Sequence, residues 1–308
     1  MSTYEDRLKA LREQLKTDRL DGFVVPICDE HMSEYVGAYA QRLAWLTGFG
    51  GSAGTAVVLP EEAAIFVDGR YTLQVREQVD GKDWQYQSVP KTSVAAWLKD
   101  HAANGARIGY DPWVHTKTWV ETATKALAEK GAELVAVERN PLDAVWTDRP
   151  APSPDLMMVH PDEFTGQSSA EKRAAVSDWL TEKGLDATIV SALDSVAWLF
   201  NVRGSDVDRT PVALSFAVVG QDGIADLYVA PEKIDDAVRQ HLGNAVRIHD
   251  RKDFEPALKS LSGKKIAVDP EHAVSAIFAA LQAGGATVVE LRDPTILAKA
   301  LKNPVEQA

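Results

Sequence analysis

Three short blocks of this sequence occur twice in the same order, and this repetition constrains the fold more than any other feature. The first block is a helix end that leads into an apolar strand, the second is Ala-Trp-Leu followed by Gly-Ser, and the third is a strand that ends in Asp-Pro. The blocks are 15–25 with 180–190, 44–52 with 197–205, and 107–112 with 265–270. Since unrelated α/β domains do not share the Trp-Leu and Gly-Ser pairing, the sequence predicts an internal duplication.

Each copy has the pattern of an α/β domain. A helix with apolar residues at helical spacing precedes a short apolar strand, a loop that carries the Trp-Leu pair and a hairpin-like pair of strands. We expect Asp111-Pro112 and Asp269-Pro270 to open helices, with proline at an early helical position. The predicted strands include 22–26, 55–59 and 63–68 in the first copy, and 187–191, 214–219 and 225–229 in the second. This alternation predicts two mixed β-sheets flanked by helices.

A proline-rich stretch at 146–164 separates the copies and is typical of a linker or an extended strap. We therefore predict one domain at 1–155 and a second at 156–308. We expect Trp146 to Pro150 to hold the linker in place.

Charge and cysteine content exclude several classes of function. The net charge of −12 argues against a nucleic-acid partner, which would need clustered Lys and Arg. No apolar run reaches 18 residues, and the N-terminus lacks the apolar segment of a signal peptide, so we expect no membrane partner. The single cysteine, Cys28, cannot form an internal disulfide or a Cys-rich zinc site. These features favour a cytoplasmic location.

Two polar motifs imitate known sites. Residues 50–54 match the G-x-S-x-G pattern of serine hydrolases, but a strand follows where a helix is required, so a tight turn is the better interpretation. Asp29, Glu30, His31 and Glu34 could bind a divalent cation. Their spacing fits no ligand motif, and a solvated loop or a domain-contact surface is favoured.

Asp68-Gly69-Arg70-Tyr71 is the strongest candidate for binding. Asp68 ends an apolar strand, Gly69 allows a sharp turn, and Arg70 is expected to project from the rim of the sheet, where its guanidinium suits a carboxylate or a peptide carbonyl. A solvated or salt-bridged arginine remains the alternative. In a similar loop, Arg203 and Asp206 are placed to pair with each other or with another domain.

No catalytic centre is visible in the residues themselves. The seven histidines are scattered, and no His, Asp and Glu set has the spacing of a zinc site, a paired-metal site or a catalytic triad. From the residues alone, the chain is a duplicated α/β protein without an evident active site.

Several of these motifs together resemble one family. DEHMSEY at 29–35, LTGFGGSAGTAVV at 46–58 and VDGRYTLQ at 67–74 are similar to the first domain of the three-domain Xaa-Pro aminopeptidases, or aminopeptidases P. Motifs at 145–150, 192–207 and 210–220 resemble the linker and the second domain of the same family. The resemblance implies two tandem domains of the creatinase/prolidase N-terminal type. It also implies that Arg70, the arginine of the D-G-R-Y motif, helps to hold the peptide.

The resemblance implies that the catalytic chemistry lies outside this chain. In that family a third domain holds two divalent ions, usually manganese, and removes the residue before a penultimate proline. The stretch 301–308 resembles the start of that domain, so no catalytic residue and no metal ligand is assigned here, and the chain alone is expected to be inactive. The expected role is to cover the active site and to bind peptide.

The expected partners follow from the same resemblance. They are short peptides with a penultimate proline, the chain's own C-terminal catalytic domain and, in the full-length protein, a second copy. The alternative is a stand-alone binding or scaffold protein. Prolidase and creatinase, which have a single N-terminal domain, fit the duplication less well.

Overall fold

The computed structural model describes residues 2–308, which fall into two compact units. The first unit contains the chain up to Glu30 together with Glu34–Ala151, and the second contains His31–Ser33 together with Pro152–Ala308. None of the described helices has the length and hydropathy needed to cross a membrane.

The first unit is a six-stranded mixed sheet with helices packed on it. Its strand order is β4-β3-β2-β1-β5-β6, in which β1–β2 and β2–β3 are antiparallel and the remaining neighbours are parallel. The strands are β1 (Gly22–Pro26), β2 (Gly54–Val58), β3 (Ala63–Val67), β4 (Gln85–Ser88), β5 (Arg107–Tyr110) and β6 (Glu133–Ala136). The helices are α1 (Tyr4–Thr17), α2 (Arg42–Thr47), α3 (Gln74–Gln78), α4 (Val94–His101), α5 (Lys117–Ala128) and α6 (Pro141–Val145).

Apolar periodicity explains how the first unit builds its core. Leu8, Leu11 and Leu15 lie on one face of α1 and are buried, as their spacing predicts. Every residue of β3 is buried, which is typical of a strand covered on both faces. Two cores result, one on each face of the sheet.

The second unit has the same arrangement. Its six-stranded sheet has the order β12-β11-β10-β8-β13-β14, and a small separate sheet pairs β7 with β9. The strands are β7 (Met158–Val159), β8 (Ala187–Val190), β9 (Val202–Arg203), β10 (Ser215–Gly220), β11 (Ala225–Val229), β12 (Val246–His249), β13 (Lys265–Val268) and β14 (Thr287–Glu290). The helices are α7 (Asp162–Thr165), α8 (Ser169–Lys183), α9 (Leu193–Phe200), α10 (Asp236–Leu242), α11 (Phe254–Lys259), α12 (Ser275–Ala283), α13 (Pro294–Ala300) and α14 (Pro304–Gln307).

Both sheets have the same topology, strand for strand. In the first sheet β1 pairs antiparallel with β2 and parallel with β5, the strand before Asp111-Pro112. In the second sheet β8 pairs in the same way with β10 and with β13, the strand before Asp269-Pro270. The predicted duplication and the predicted fold class, two mixed sheets flanked by helices, are confirmed.

Two local predictions are wrong for a physical reason. The Trp-Leu blocks lie in the helices α2 and α9 and not in loops. Asp111-Pro112 forms a turn, and α5 begins only at Lys117, because the Asp111 carboxylate accepts hydrogen bonds from the Trp113 backbone N–H (2.9 Å) and from Asn140 (2.8 Å). Asp269 acts likewise, accepting from the backbone of Glu271, and α12 begins at Ser275.

Candidate functional site

Arg70 lies at the end of the buried strand β3, where the chain leaves the sheet. The Asp68 carboxylate accepts a hydrogen bond from the Arg70 backbone N–H at 2.8 Å and so caps the single 3₁₀ turn Gly69–Tyr71. This cap turns the chain sharply and places the arginine side chain outside the sheet, 61% exposed. The predicted projection of Arg70 from the rim agrees with this geometry.

The same carboxylate orients the guanidinium. Asp68 accepts from Arg70 Nη2 at 2.7 Å and from Nε at 3.1 Å, which is a two-point pairing. These bonds and the backbone bond lower the pKa of Asp68. Nη1 points instead toward Glu34, at 3.9 Å. Because Asp68 uses Nε and Nη2, the Nη1 donors are directed to solvent and to Glu34.

Ser52 connects two further side chains to Arg70. The Ser52 hydroxyl donates to Glu34 Oε1 at 2.9 Å and lies 2.8 Å from the Tyr71 hydroxyl. A hydroxyl has one proton, so with Ser52 donating to Glu34, Tyr71 donates to Ser52. The Arg70 guanidinium also lies over the Tyr71 ring, 5.2 Å from its centroid. We call these five residues the Arg70 cluster: Glu34, Ser52, Asp68, Arg70 and Tyr71.

Close packing against two aromatic rings explains the glycine at position 51. A Cβ on Gly51 would collide with the Phe49 ring and would lie 2.8 Å from Tyr71 Cδ1, so the predicted close-packed turn is correct. Gly69 differs, since its Cβ position is open and its φ lies outside the left-handed region. The sharp turn expected at Gly69 is present, but it does not require glycine.

The Arg70 cluster does not contain the Ser-His pair of a serine hydrolase. Ser52 bonds to Glu34 and Tyr71 and not to a histidine, so the arrangement of a serine hydrolase is not formed. Among residues 2–308 there is no group of three or more His, Cys, Asp or Glu side chains that could hold a metal ion. An exposed, pre-oriented guanidinium suits recognition of a carboxylate or a peptide carbonyl.

The remaining candidates of the 29–34 motif are not members of this cluster. Asp29 and His31 are buried, with 0% and 2% exposure, so a solvated loop is wrong for these two positions. His31 belongs to the second unit, where its ring stacks on Phe216 at 4.2 Å and its Nδ1 lies 2.8 Å from the Ser191 carbonyl oxygen. Glu34 is in the first unit and joins Arg70. The 29–34 motif is therefore not one site: Asp29 and His31 are buried, and Glu34 is part of the Arg70 cluster.

Asp206 has a partner that its neighbourhood in the sequence does not reveal. Its carboxylate accepts from Lys233 Nζ at 2.6 Å, and both side chains are almost fully buried. Arg203 donates instead to the carbonyls of Ala197 and Val202. The predicted pairing of Arg203 with Asp206 is wrong.

The beginning of the linker is held to the first unit, as expected. Trp146 is buried and stacks on Trp45 with 5.5 Å between ring centroids. Arg149 donates to Asp143 at 2.6 Å and to the Tyr39 carbonyl at 2.7 Å. Asp143 in turn accepts two hydrogen bonds from the buried Arg42.

Family models match almost the whole chain. A model described as creatinase/prolidase N-terminal domain matches residues 7–145, and a second with the same description matches 148–306. The C. elegans X-prolyl aminopeptidase, described as a cytosolic enzyme with a di-nuclear active site, is 29% identical. Its TM-score is 0.92 over 100% of this chain and 53% of that one.

Relatives from fungi show the same difference in length. A probable Xaa-Pro aminopeptidase P from Neosartorya fischeri is 35% identical over 98% of this chain and 48% of its own length. One from Talaromyces stipitatus is 36% identical over 98% and 47%. The chain thus spans about half the length of the curated relatives it matches.

Proposed function

The chain belongs to the creatinase/prolidase N-terminal domain family, of which it carries two consecutive members, and we propose that it is the non-catalytic N-terminal part of a metal-dependent Xaa-Pro aminopeptidase. The single observation that carries the proposal is the length relation: relatives named Xaa-Pro aminopeptidase P match 98% of this chain with only 48% of their own length. The parent protein would remove the residue before a penultimate proline. These relatives give no support to a stand-alone scaffold.

The residues of this chain do not fit the metal ions of such an enzyme. Residues 2–308 contain no group of three or more His, Cys, Asp or Glu side chains that could hold a metal ion. Of the candidates in the 29–34 motif, Asp29 and His31 are buried and Glu34 bonds to Ser52 of the Arg70 cluster. The two divalent ions, with manganese as the expected metal, would therefore be held by the other half of the parent protein. The imide nitrogen of an Xaa-Pro bond has no N–H, so an enzyme for this bond needs contacts to other parts of the peptide.

Arg70 is the residue of this chain that would supply such a contact. Its guanidinium is exposed, is fixed by Asp68 at two points and keeps Nη1 for a ligand. A peptide carbonyl or terminal carboxylate would accept from it. The domains at 1–155 and 156–308 would also cover the active site and limit entry to short peptides. For the parent protein we expect a cytoplasmic location and a homodimer.

Replacing Arg70 in the full-length parent tests this role. Loss of a charge-assisted hydrogen bond costs about 1.5–3 kcal/mol, so Arg70→Ala is expected to lower kcat/KM for Xaa-Pro peptides by about 10- to 100-fold. Metal content should not change, because Arg70 lies outside the metal centre. Arg76→Ala is the matched control: Arg76 is an exposed arginine of α3 that packs over the Tyr86 ring.

The two variants separate a binding role from a structural one. The control should keep kcat/KM within about twofold, since surface substitutions away from a site have small effects. Unchanged kinetics in Arg70→Ala would remove Arg70 from the site. An equal loss in both variants would show a general effect of surface charge.

A further inference from the structure

The carboxylate of Asp68 does more than close the turn in which Arg70 lies. The two sheets have the same topology, so β11 of the second sheet corresponds to β3 of the first. Each of these strands is followed by a cap residue and a 3₁₀ turn, Gly69–Tyr71 in the first unit and Pro231–Lys233 in the second. The second turn begins with proline, and its cap residue, Ala230, makes no side-chain hydrogen bond. A 3₁₀ turn can therefore form at this place without a carboxylate.

In the first unit most hydrogen bonds of the Asp68 carboxylate go to the arginine side chain. Besides the backbone N–H of Arg70, the carboxylate accepts from Nε, at 3.2 and 3.1 Å from its two oxygens, and from Nη2 at 2.7 Å. Among residues 2–308, Arg70 is the only basic side chain that pairs with Asp68. An exposed arginine without such a partner samples many rotamers, and fixing it costs conformational entropy. Asp68 therefore determines which edge of the guanidinium a ligand meets.

The same pairing determines the charge that a ligand meets. Asp68 occupies the edge formed by Nε and Nη2, so Nη1 is left to donate, and the Glu34 carboxylate lies 3.9 Å from it. One guanidinium and two carboxylates give the Arg70 cluster a net negative charge.

This charge distinguishes between the two groups that an arginine of a peptide-binding site can hold. A third carboxylate would be repelled by the two that are already present. The carbonyl oxygen of a peptide bond is neutral and accepts a hydrogen bond from Nη1 without this repulsion. Specificity often depends on a repulsive element of this kind as well as on the attractive contact.

We infer that Asp68 is a positioning residue that makes Arg70 a donor to a neutral peptide carbonyl and not a binder of a terminal carboxylate, an inference that rests on the proposed function. The group that meets Arg70 is then an uncharged peptide bond, and the chain of the Xaa-Pro peptide continues past this contact. Asp68 acts through the arginine and does not itself contact the peptide.

The variant Asp68→Asn in the full-length parent tests this role. Asparagine caps a turn as well as aspartate does, so its Oδ1 can still accept from the Arg70 backbone N–H. Its amide cannot neutralise the guanidinium or pair with it at two points. Asp80→Asn is the matched control, because Asp80 caps a turn in the same way, accepting from the Lys82 backbone N–H at 2.9 Å, and pairs with no arginine within residues 2–308. Both variants should keep the Tm of the wild type.

The substrates are Xaa-Pro peptides of increasing length, each with a free C-terminal carboxylate and with a C-terminal amide. In the wild type, kcat/KM for the amide should equal or exceed kcat/KM for the acid at every length. In Asp68→Asn the acid-to-amide ratio should rise about fivefold at the length whose terminus reaches Arg70, which is the effect of one unit charge about 4 Å away in water. Longer peptides should lose kcat/KM in both forms, mainly through KM, because the guanidinium is no longer held. Asp80→Asn should change none of these values.

A spectroscopic measurement on this chain separates positioning from a general effect on the fold. In NMR spectra the Arg70 Nε–H proton should exchange with water at least about fivefold faster in Asp68→Asn than in the wild type, because a neutral amide is a weaker acceptor than a carboxylate. Asp80→Asn should leave this exchange rate unchanged.

Several outcomes would overturn the inference and leave the proposed function intact. They are an active parent that prefers acids to amides, an acid-to-amide ratio that does not change in Asp68→Asn, and an unchanged exchange rate of the Arg70 Nε–H proton. An equal change of the ratio in Asp80→Asn would also overturn it, since that result would show a general effect of surface charge. A parent that cleaves none of the peptides would refute the proposed function and, with it, the substrate class inferred from it.

Discussion

The buried ion pair between Lys233 and Asp206 gives the sharpest stability prediction, for the variant Lys233→Met. All three ammonium hydrogens of Lys233 have acceptors: Asp206 at 2.6 Å and the linker carbonyls of Ser153 and Asp155 at 2.6 and 3.0 Å. The second Asp206 oxygen accepts from the Leu214 backbone N–H at 2.7 Å. Lys233 therefore neutralises a buried carboxylate and ties the linker to the second unit.

The magnitude follows from what the substitution leaves behind. Methionine keeps most of the volume but leaves a buried carboxylate with one donor and two carbonyls without one. Removing one partner of a buried pair costs about 3–5 kcal/mol. Lys233→Met should lower the free energy of unfolding of the second unit by this amount. The double variant K233M/D206N should lose less than the single one, because no uncompensated charge remains.

Urea unfolding measures the loss. The fluorescence signal must come from the second unit, because two domains need not unfold together. Trp179 and Trp198 are the tryptophans of this unit. Limited proteolysis near Ser153 should also become faster in Lys233→Met. Lys183→Met is the control, since Lys183 pairs with Glu182 on the surface of α8 and should contribute less than about 1 kcal/mol. A loss below 1 kcal/mol in Lys233→Met, or a larger loss in the double variant, would refute the reasoning.

Two further predictions concern the first unit. Gly51→Ala should lower stability by about 1–3 kcal/mol in thermal unfolding, because its Cβ would overlap Phe49 and Tyr71, whereas Gly69→Ala, with open space, should be nearly neutral; equal effects would contradict the packing argument. Burial lowers the pKa of His115 to about 4, so the unfolded chain binds a proton that the folded chain does not between pH 6.5 and about 4, and stability falls as the pH is lowered through this window. In His115→Asn, the side-chain amide can donate to the Asp111 carbonyl in place of Nδ1. Between pH 7 and pH 4 this variant should lose less stability than the wild type, with a difference in the free energy of unfolding of up to about 3 kcal/mol. Parallel stability curves of the two proteins against pH would contradict this.

Local chemistry was sufficient to predict much of the fold. The strands β1 and β11 begin and end where the apolar runs and turn residues place them, and repeated blocks predicted two sheets of one kind. The sequence predicts helix starts at the Asp-Pro pairs, whereas the structure has turns there, because the competing partner of Asp111, Asn140, lies 29 residues away in the sequence. A carboxylate that finds such a partner caps a turn in place of a helix.

The site was predicted only in part because its residues come from separate segments. Asp68 and Arg70 are two residues apart in the sequence, and their motif indicates an exposed arginine. In the sequence, Glu34 and Ser52 belong to two other motifs, and only the fold shows that they join Arg70. Lys233 gave no signal at all, since a single lysine in a polar stretch is indistinguishable from a surface lysine.

The most direct test of the central claim is turnover of Xaa-Pro peptides by this chain and by the full-length parent, each supplied with manganese. The account predicts cleavage before proline by the parent and none by this chain, because residues 2–308 contain no group of side chains that could hold the ions and Arg70 is proposed only to contact the peptide. Cleavage by the shorter chain, or a pair of ions bound to it in a metal analysis, would contradict the account.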